Sequence, residues 1–394
     1  MTPPRLLTEG FRVFFLAAAL YAVFAVVIWE GWLGVHAANG MVTDTPFAPP
    51  PYLWHAHEMV FGYAAAVLGG FFLTAAPNWT GAPAARAGFV TLVAGLWLAG
   101  RLAVWFSGAL PPALVAAVDL AFLPVLAAKV GAQLIRRPKP QNMMFIGLIA
   151  LVWTGNLLTH LEWMGVSSDG VWQGLRLGLS GVCAMIAVVG GRVTPAFTRN
   201  AMTRAGRETG LPVSRRPLEL AAIAGAVALG PLWAFGAPEP LLAAVALAAG
   251  AAQLARVAGW RPGWAARDPI VWSLHLGMAM LGAGWLALGA GWAGLDVPES
   301  AALHLLAIGA VGGMTLAVMS RAALGHTGRP LAVSRPIAVA YGLLALAAAV
   351  RFAGPAFAFD LYEPAVLAAG ALWIAAFATF AAAYWPILTG PRTA

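Results

Sequence analysis

Charge is scarce in this chain. Only 10% of its 394 residues are Asp, Glu, Lys or Arg, against about 25% in a soluble domain, which excludes an ordinary cytosolic enzyme. Cysteine is nearly absent: Cys183 stands alone inside the apolar run GLSGVCAMIAVVGG. An internal disulfide and a C-x-x-C-H haem attachment are therefore both excluded, and Cys183 reads as a small packing residue. No G-x-x-x-x-G-K-[ST] is present, so ATP does not drive the protein directly. H-E-x-x-H and a Rossmann glycine fingerprint are also missing. The first apolar run begins near Phe11 and has no small-residue cleavage site after it, so it reads as a first span, not a removed signal.

What the chain does have is apolar length. Hydrophobic residues make up 61% of it, in blocks of about twenty, the length that crosses ~30 Å of hydrocarbon. Twelve blocks can be drawn, at 11–33, 52–76, 86–107, 111–135, 142–160, 171–191, 216–236, 240–259, 269–291, 299–323, 334–353 and 362–386. All twelve are expected to be helices, because an open strand leaves its backbone unsatisfied in lipid. The fold class is an all-α polytopic bundle, with residues 1–394 forming a single transmembrane domain.

Basic residues outnumber acidic ones by 23 to 15, a net charge of +8. Their placement argues against nucleic acid. Arg86, Arg136, Arg137, Lys139, the stretch from Arg192 to Arg216, Arg256, Arg261, Arg267, Arg321, Arg329 and Arg335 follow the even-numbered spans. Asp44, Glu162, Asp169, Glu239, Asp296 and Asp360 lie in or beside the opposite connections. Basic loops stay in the cytoplasm, so both termini are expected there. The polar strings APNWTG, TPAFTRN and GHTGRP end spans 2, 6 and 10. They suggest three four-helix units, whereas the basic midpoint loop suggests two six-helix halves.

Ionisable residues inside spans cost about 2.5–3.5 kcal/mol each on insertion scales and are functional candidates by default. His55 and His57 open span 2 in PYLWHAHEMVFGY, and His304 opens span 10 in ESAALHLLAIGA. His57 and His304 lie at matching depth, roughly 8 Å below their helix starts at 1.5 Å per residue. Two such histidines on different helices suit the axial positions of a haem b. His55 and His57 point about 200° apart on a helix, so they serve two centres or only one is a ligand. Arg101, Arg176 and Arg351 are candidates for pairing with haem propionates through their guanidinium forks. The competing partners are Asp119, Glu30 and Glu58. Glu58 is also a candidate for proton transfer. A second metal site could draw on His326, His275 and His160, but His326 follows His304 by 22 residues, about 33 Å of helix, so these two cannot share an ion.

The strings WHAHEMVFGY, FFLTAAPNWTG, LWLAGRLA, GRVTPAFTRNA and HLLAIGAVGGMTLAVMSRAALGHTGRPL resemble the NnrS family of twelve-helix bacterial inner-membrane proteins. The resemblance runs from about residue 10 to the C-terminus. It implies haem and copper, and a role in nitric oxide metabolism, denitrification and protection from nitrosative stress. The family's histidine strings fall on His55, His57, His304 and His326, and its polar strings on Asn78, Arg192, Arg199, Arg321 and Arg329. By analogy of fold alone, the H-x-H pair and a four-helix repeat are similar to haem–copper oxidases. The leading expectation is a haem-b redox protein, with copper possible, that acts on nitric oxide and takes electrons from quinol or a periplasmic donor. The alternatives are a transporter exporting nitrosyl-iron or a related small adduct, and a haem-based nitric oxide sensor.

Overall fold

The structure is a computed structural model that describes residues 4–393. Among these residues there is no strand, and twelve helices are long and apolar enough to cross a bilayer. This is a multi-pass membrane protein. The spans are α1 Gly10–Ala37, α2 Pro51–Thr80, α3 Ala87–Trp105, α4 Pro112–Arg136, α5 Pro140–Trp163, α6 Gly170–Arg204, α7 Arg216–Ala234, α8 Glu239–Gly259, α9 Pro269–Trp292, α10 Glu299–His326, α11 Arg335–Phe357 and α12 Tyr362–Thr389.

Local chemistry sets many of these boundaries. Proline occupies the first helical position of α2, α4, α5 and α9, where its missing N–H is no loss. Asp268 caps α9, its carboxylate accepting from the Ile270 N–H at 3.2 Å. Gly81, at φ 67°, ends α2 in the left-handed region that favours glycine.

Three departures from plain α-helix shape the polar interior. First, α6 runs on to Arg204 through the polar string expected to be a loop. Its hydroxyls do not leave the helix: Thr198 donates to the Thr194 carbonyl one turn back, at 2.8 Å. Second, α2 and α10 each contain a π-helical stretch, Glu58–Ala64 and Leu305–Gly312, and each stretch follows directly on a histidine, His57 and His304. Such wide turns are frequent at functional sites.

Third, α4 breaks after Asp119 and resumes at Phe122. Pro124 has no N–H to offer the Leu120 carbonyl, which instead accepts from the Trp153 indole of α5 at 3.1 Å. Trp153→Phe keeps the ring packing and removes this donor. It is expected to lower stability by about 1–3 kcal/mol, the range for an orphaned buried carbonyl, read as a fall in the thermal unfolding midpoint. An unchanged midpoint would show that the break holds without it.

The described residues belong to two compact units. The first comprises residues 4–181 with Ala322–Pro330 and 380–393, and the second Val182–Arg321 with Leu331–Thr379. In the first unit α1 packs on α2, α2 on α4, α3 on both parts of α4, and α4 on α5. Its core is aromatic, with Phe14, Phe15, Phe72 and Phe145 all fully buried. Arg12 pins one end of this unit by pairing with Glu9 at 2.8 Å and donating to the Leu388 and Gly390 carbonyls, both at 2.9 Å. In the second unit α8 packs between α7 and α9, and the π stretch of α10 lies against α9 and α11.

Candidate metal centre

The first unit encloses a cluster of ionisable side chains drawn from four consecutive spans. Glu58 and Asp119 each lie seven residues past the start of their helices, Pro51 and Pro112, about 10 Å of rise at 1.5 Å per residue. His57, Glu58, Arg101, Asp119, Asn156 and His160 are all buried, none more than 4% exposed. In an apolar surround each must be paired, and the pairing here is continuous.

Arg101 of α3 is the central cation. One guanidinium nitrogen donates to Glu58 Oε1 at 2.6 Å and the other donates to Asp119. The Tyr21 hydroxyl of α1 donates to the second oxygen of Glu58. Asn156 and His160, one turn apart on α5 and so on one face, both reach Asp119 Oδ2. The amide N–H of Asn156 does so at 2.8 Å and His160 Nε2 at 2.9 Å. His57 lies between the two carboxylates, with Nδ1 2.8 Å from Glu58 Oε1, and Nε2 2.9 Å from Asn156 Oδ1 and 3.5 Å from Asp119 Oδ2.

The cluster needs close backbone approach at two glycines. A β-carbon on Gly100 would stand 2.7 Å from Asp119 Oδ1, and one on Gly62 would stand 2.8 Å from Tyr21 and 2.9 Å from Arg101. The Gly62 carbonyl, within the π stretch, accepts from the Trp97 indole at 2.9 Å.

His57, His160 and Asp119 present one ligand atom each within 4.8 Å of one another. Two imidazoles and a carboxylate form a donor set suited to transition metals. The hydrogen bonds also leave a place for a cation at this spot. Asn156 directs its N–H to Asp119, so it shows its oxygen to His57 Nε2, while His57 Nδ1 faces a carboxylate oxygen. Acceptors therefore lie at both ring nitrogens. With Glu58 ionised, Nδ1–H satisfies one, and Nε2 takes a proton or a metal ion. Formal charge agrees: two carboxylates and one guanidinium leave −1 with both imidazoles neutral. Trp163 closes the site, its ring 4.8 Å from that of His57 and 5.3 Å from that of His160. Its indole N–H is buried with no partner.

The other expected residues lie elsewhere. His55 is half-buried and stacks on Trp29 at 5.0 Å, on a different side of α2 from His57. His304 is half-buried in the second unit, and its Nδ1 is 2.6 Å from the Ser300 carbonyl. That hydrogen bond fixes the tautomer and puts the lone pair on Nε2, the arrangement of a metal-ligating histidine. Arg176 is half-buried on α6, and buried Arg351 lies over the Tyr362 ring at 5.6 Å. His326 packs beside Phe11 at 5.5 Å, and His275 bonds Thr198 at 2.8 Å, so neither is among the residues gathered with His160. Asn156 and Trp163 do not stand out in the sequence. The one available signal is the i, i+4 spacing of Asn156 and His160, which puts both on one helix face.

A sequence model of the family described as NnrS protein matches residues 5–392. No curated protein matches the chain.

Proposed function

Because this chain belongs to the NnrS family, we propose that it is a redox protein of the bacterial inner membrane, with both termini cytoplasmic, that acts on nitric oxide. The observation that carries the reading is the buried His57–Asp119–His160 group, whose ligand atoms lie within 4.8 Å of one another. Its donors fit a small ion, and copper is the ion we assign to it. They suit haem less: Phe61, His160 and Trp163 pack around the His57 ring, and Asn156 Oδ1 stands 2.9 Å from its Nε2.

Haem b, in this reading, is held through His304 in the second unit, and His55 on α2 is a candidate ligand for a haem in the first. Arg101 is committed to Glu58 and Asp119, so propionate pairing falls to Arg351 in the second unit and to Arg176 in the first. Bound haem and copper would supply the one-electron chemistry and the affinity for nitric oxide. The protein's own part is to hold protons. Tyr21, Glu58, His57, Asn156, Asp119 and His160 form one hydrogen-bonded chain, with Glu58 near its start. Reduction of two nitric oxide molecules to nitrous oxide and water consumes two electrons and two protons. The electrons would come from a quinol or a periplasmic donor.

The test is the absorption spectrum of the purified, reduced protein with and without nitric oxide, alongside metal analysis. Haem-b bands that shift with nitric oxide are expected, and His304→Ala is expected to lose a haem while the helices remain folded. Full haem retention in that variant would sink the ligand assignment.

One observation favours a second reading, export of a small nitrosyl-iron adduct. The break in α4 beside Asp119 is the kind of interrupted helix that transporters place at substrate sites. Protein prepared with ample haem that binds none, yet moves a nitrosyl-iron complex across vesicle membranes, would establish export.

A further inference from the structure

Inside the second unit, one turn of α6 gathers polar groups that nothing among the described residues satisfies. Arg321 of α10 is 8% exposed and makes no hydrogen bond among the described residues; its guanidinium carbon lies 3.7 Å from the centre of the Phe197 ring. A ring face offsets part of a buried cation's cost, but it leaves the in-plane N–H groups without acceptors, and Nη1 is buried with none. On the same turn the Thr194 hydroxyl is fully buried without a partner. The next residue after Phe197, Thr198, binds His275 of α9.

The tautomer of His275 is set by that contact. Thr198 spends its only hydrogen on the Thr194 carbonyl, at 2.8 Å, so its oxygen accepts from His275 Nε2–H, also at 2.8 Å. The lone pair is then on Nδ1, which is buried with no partner. Three orphaned atoms thus flank residues 194–198: a charged donor, a hydroxyl and an acceptor. Buried polar atoms are rarely left so, and an unpaired buried charge is the costliest case. Asp268, an acid close enough to act on Arg321 electrostatically, uses its carboxylate to cap α9.

We infer that the turn Thr194–Thr198, with Arg321 and His275, binds a small monovalent oxyanion. The guanidinium fork is shaped for two oxygens of one planar anion. Phe197 covers one face of the guanidinium, so the anion comes in along its edge. The Thr194 hydroxyl donates to the same anion. The lone pair on His275 Nδ1 takes an O–H, either the anion's own, as in bicarbonate, or that of a water entering with nitrite. The site belongs to the second unit and shares no residue with the metal centre.

The experiment is thermal unfolding of the full-length protein in lipid nanodiscs, titrated with sodium nitrite, bicarbonate or chloride at fixed pH and ionic strength. Both oxyanions are expected to raise the midpoint saturably and more than chloride does. Arg321→Gln is expected to weaken the apparent affinity at least tenfold. Thr194→Val, which removes one hydroxyl and keeps the shape, should weaken it several-fold and decides the matter alone if the arginine variant fails to fold. Tighter binding of bicarbonate than of nitrite assigns the O–H to the anion, and equal binding assigns it to water. No saturable shift in the wild type, or an undiminished shift in Thr194→Val, would overturn the inference.

Discussion

Arg101→Met is expected to leave little folded protein in the membrane. The substitution keeps the length and packing of the side chain and removes the one cation that faces both Glu58 and Asp119. Two carboxylates would then share an apolar interior with no countercharge. Breaking a buried ion pair by deleting one partner costs about 3–5 kcal/mol, a large part of a typical domain's stability. Adding Glu58→Gln and Asp119→Asn to the same protein should restore folding, because the amides are neutral and can still bond Tyr21, His57, Asn156 and His160. Arg101→Lys should fall between these, since a single ammonium cannot serve two carboxylates with a fixed fork. Yield and unfolding midpoint in detergent measure all three. A stable Arg101→Met protein would show that the network does not hold α2, α3 and α4 together.

The same cluster shows which features are legible in the chain alone. Span limits are, because apolar length is a one-dimensional property: α8 and α9 end within a residue of their expected bounds. The end of α6 is not, since a polar string usually signals a loop. Here Thr198 turns its hydroxyl back onto its own helix. The π stretches are invisible too, because seven or eight residues within a span cannot distinguish a wide turn from an ordinary one. The break in α4 has a signal in Pro124, whose missing N–H strands the Leu120 carbonyl.

Site residues divide in the same way. His57, Glu58, Arg101 and His160 stand out singly as ionisable groups inside spans. Their meeting point is a tertiary fact, set by which helices pack together. Asn156 carries no charge and so draws no attention, yet its orientation fixes what His57 Nε2 must bear.

That orientation leads to the second large effect: each copper(I) ion that enters the centre is expected to displace one proton. Without metal, a hydrogen at His57 Nε2 meets Asn156 Oδ1, and a second proton is shared between Nδ1 and Glu58 Oε1. A copper(I) ion bound at Nε2, with His160 and Asp119 completing the set, takes the place of the first of these. The cluster's net charge is then unchanged, whereas a divalent ion would add a unit of uncompensated charge in a low-dielectric interior. Metal binding and proton release are linked wherever a ligand must shed its proton. Titration of metal-free protein with copper(I) in two buffers of different ionisation enthalpy would count the protons. The Cys183→Ala background removes the chain's only thiol as a competing soft ligand. One ion per chain and close to one proton per ion are expected, with zinc(II) bound more weakly. His160→Gln and Asp119→Asn should each lower affinity at least a hundredfold. Binding without proton release, or undiminished in both variants, would place the metal elsewhere and leave the cluster as a structural ion network.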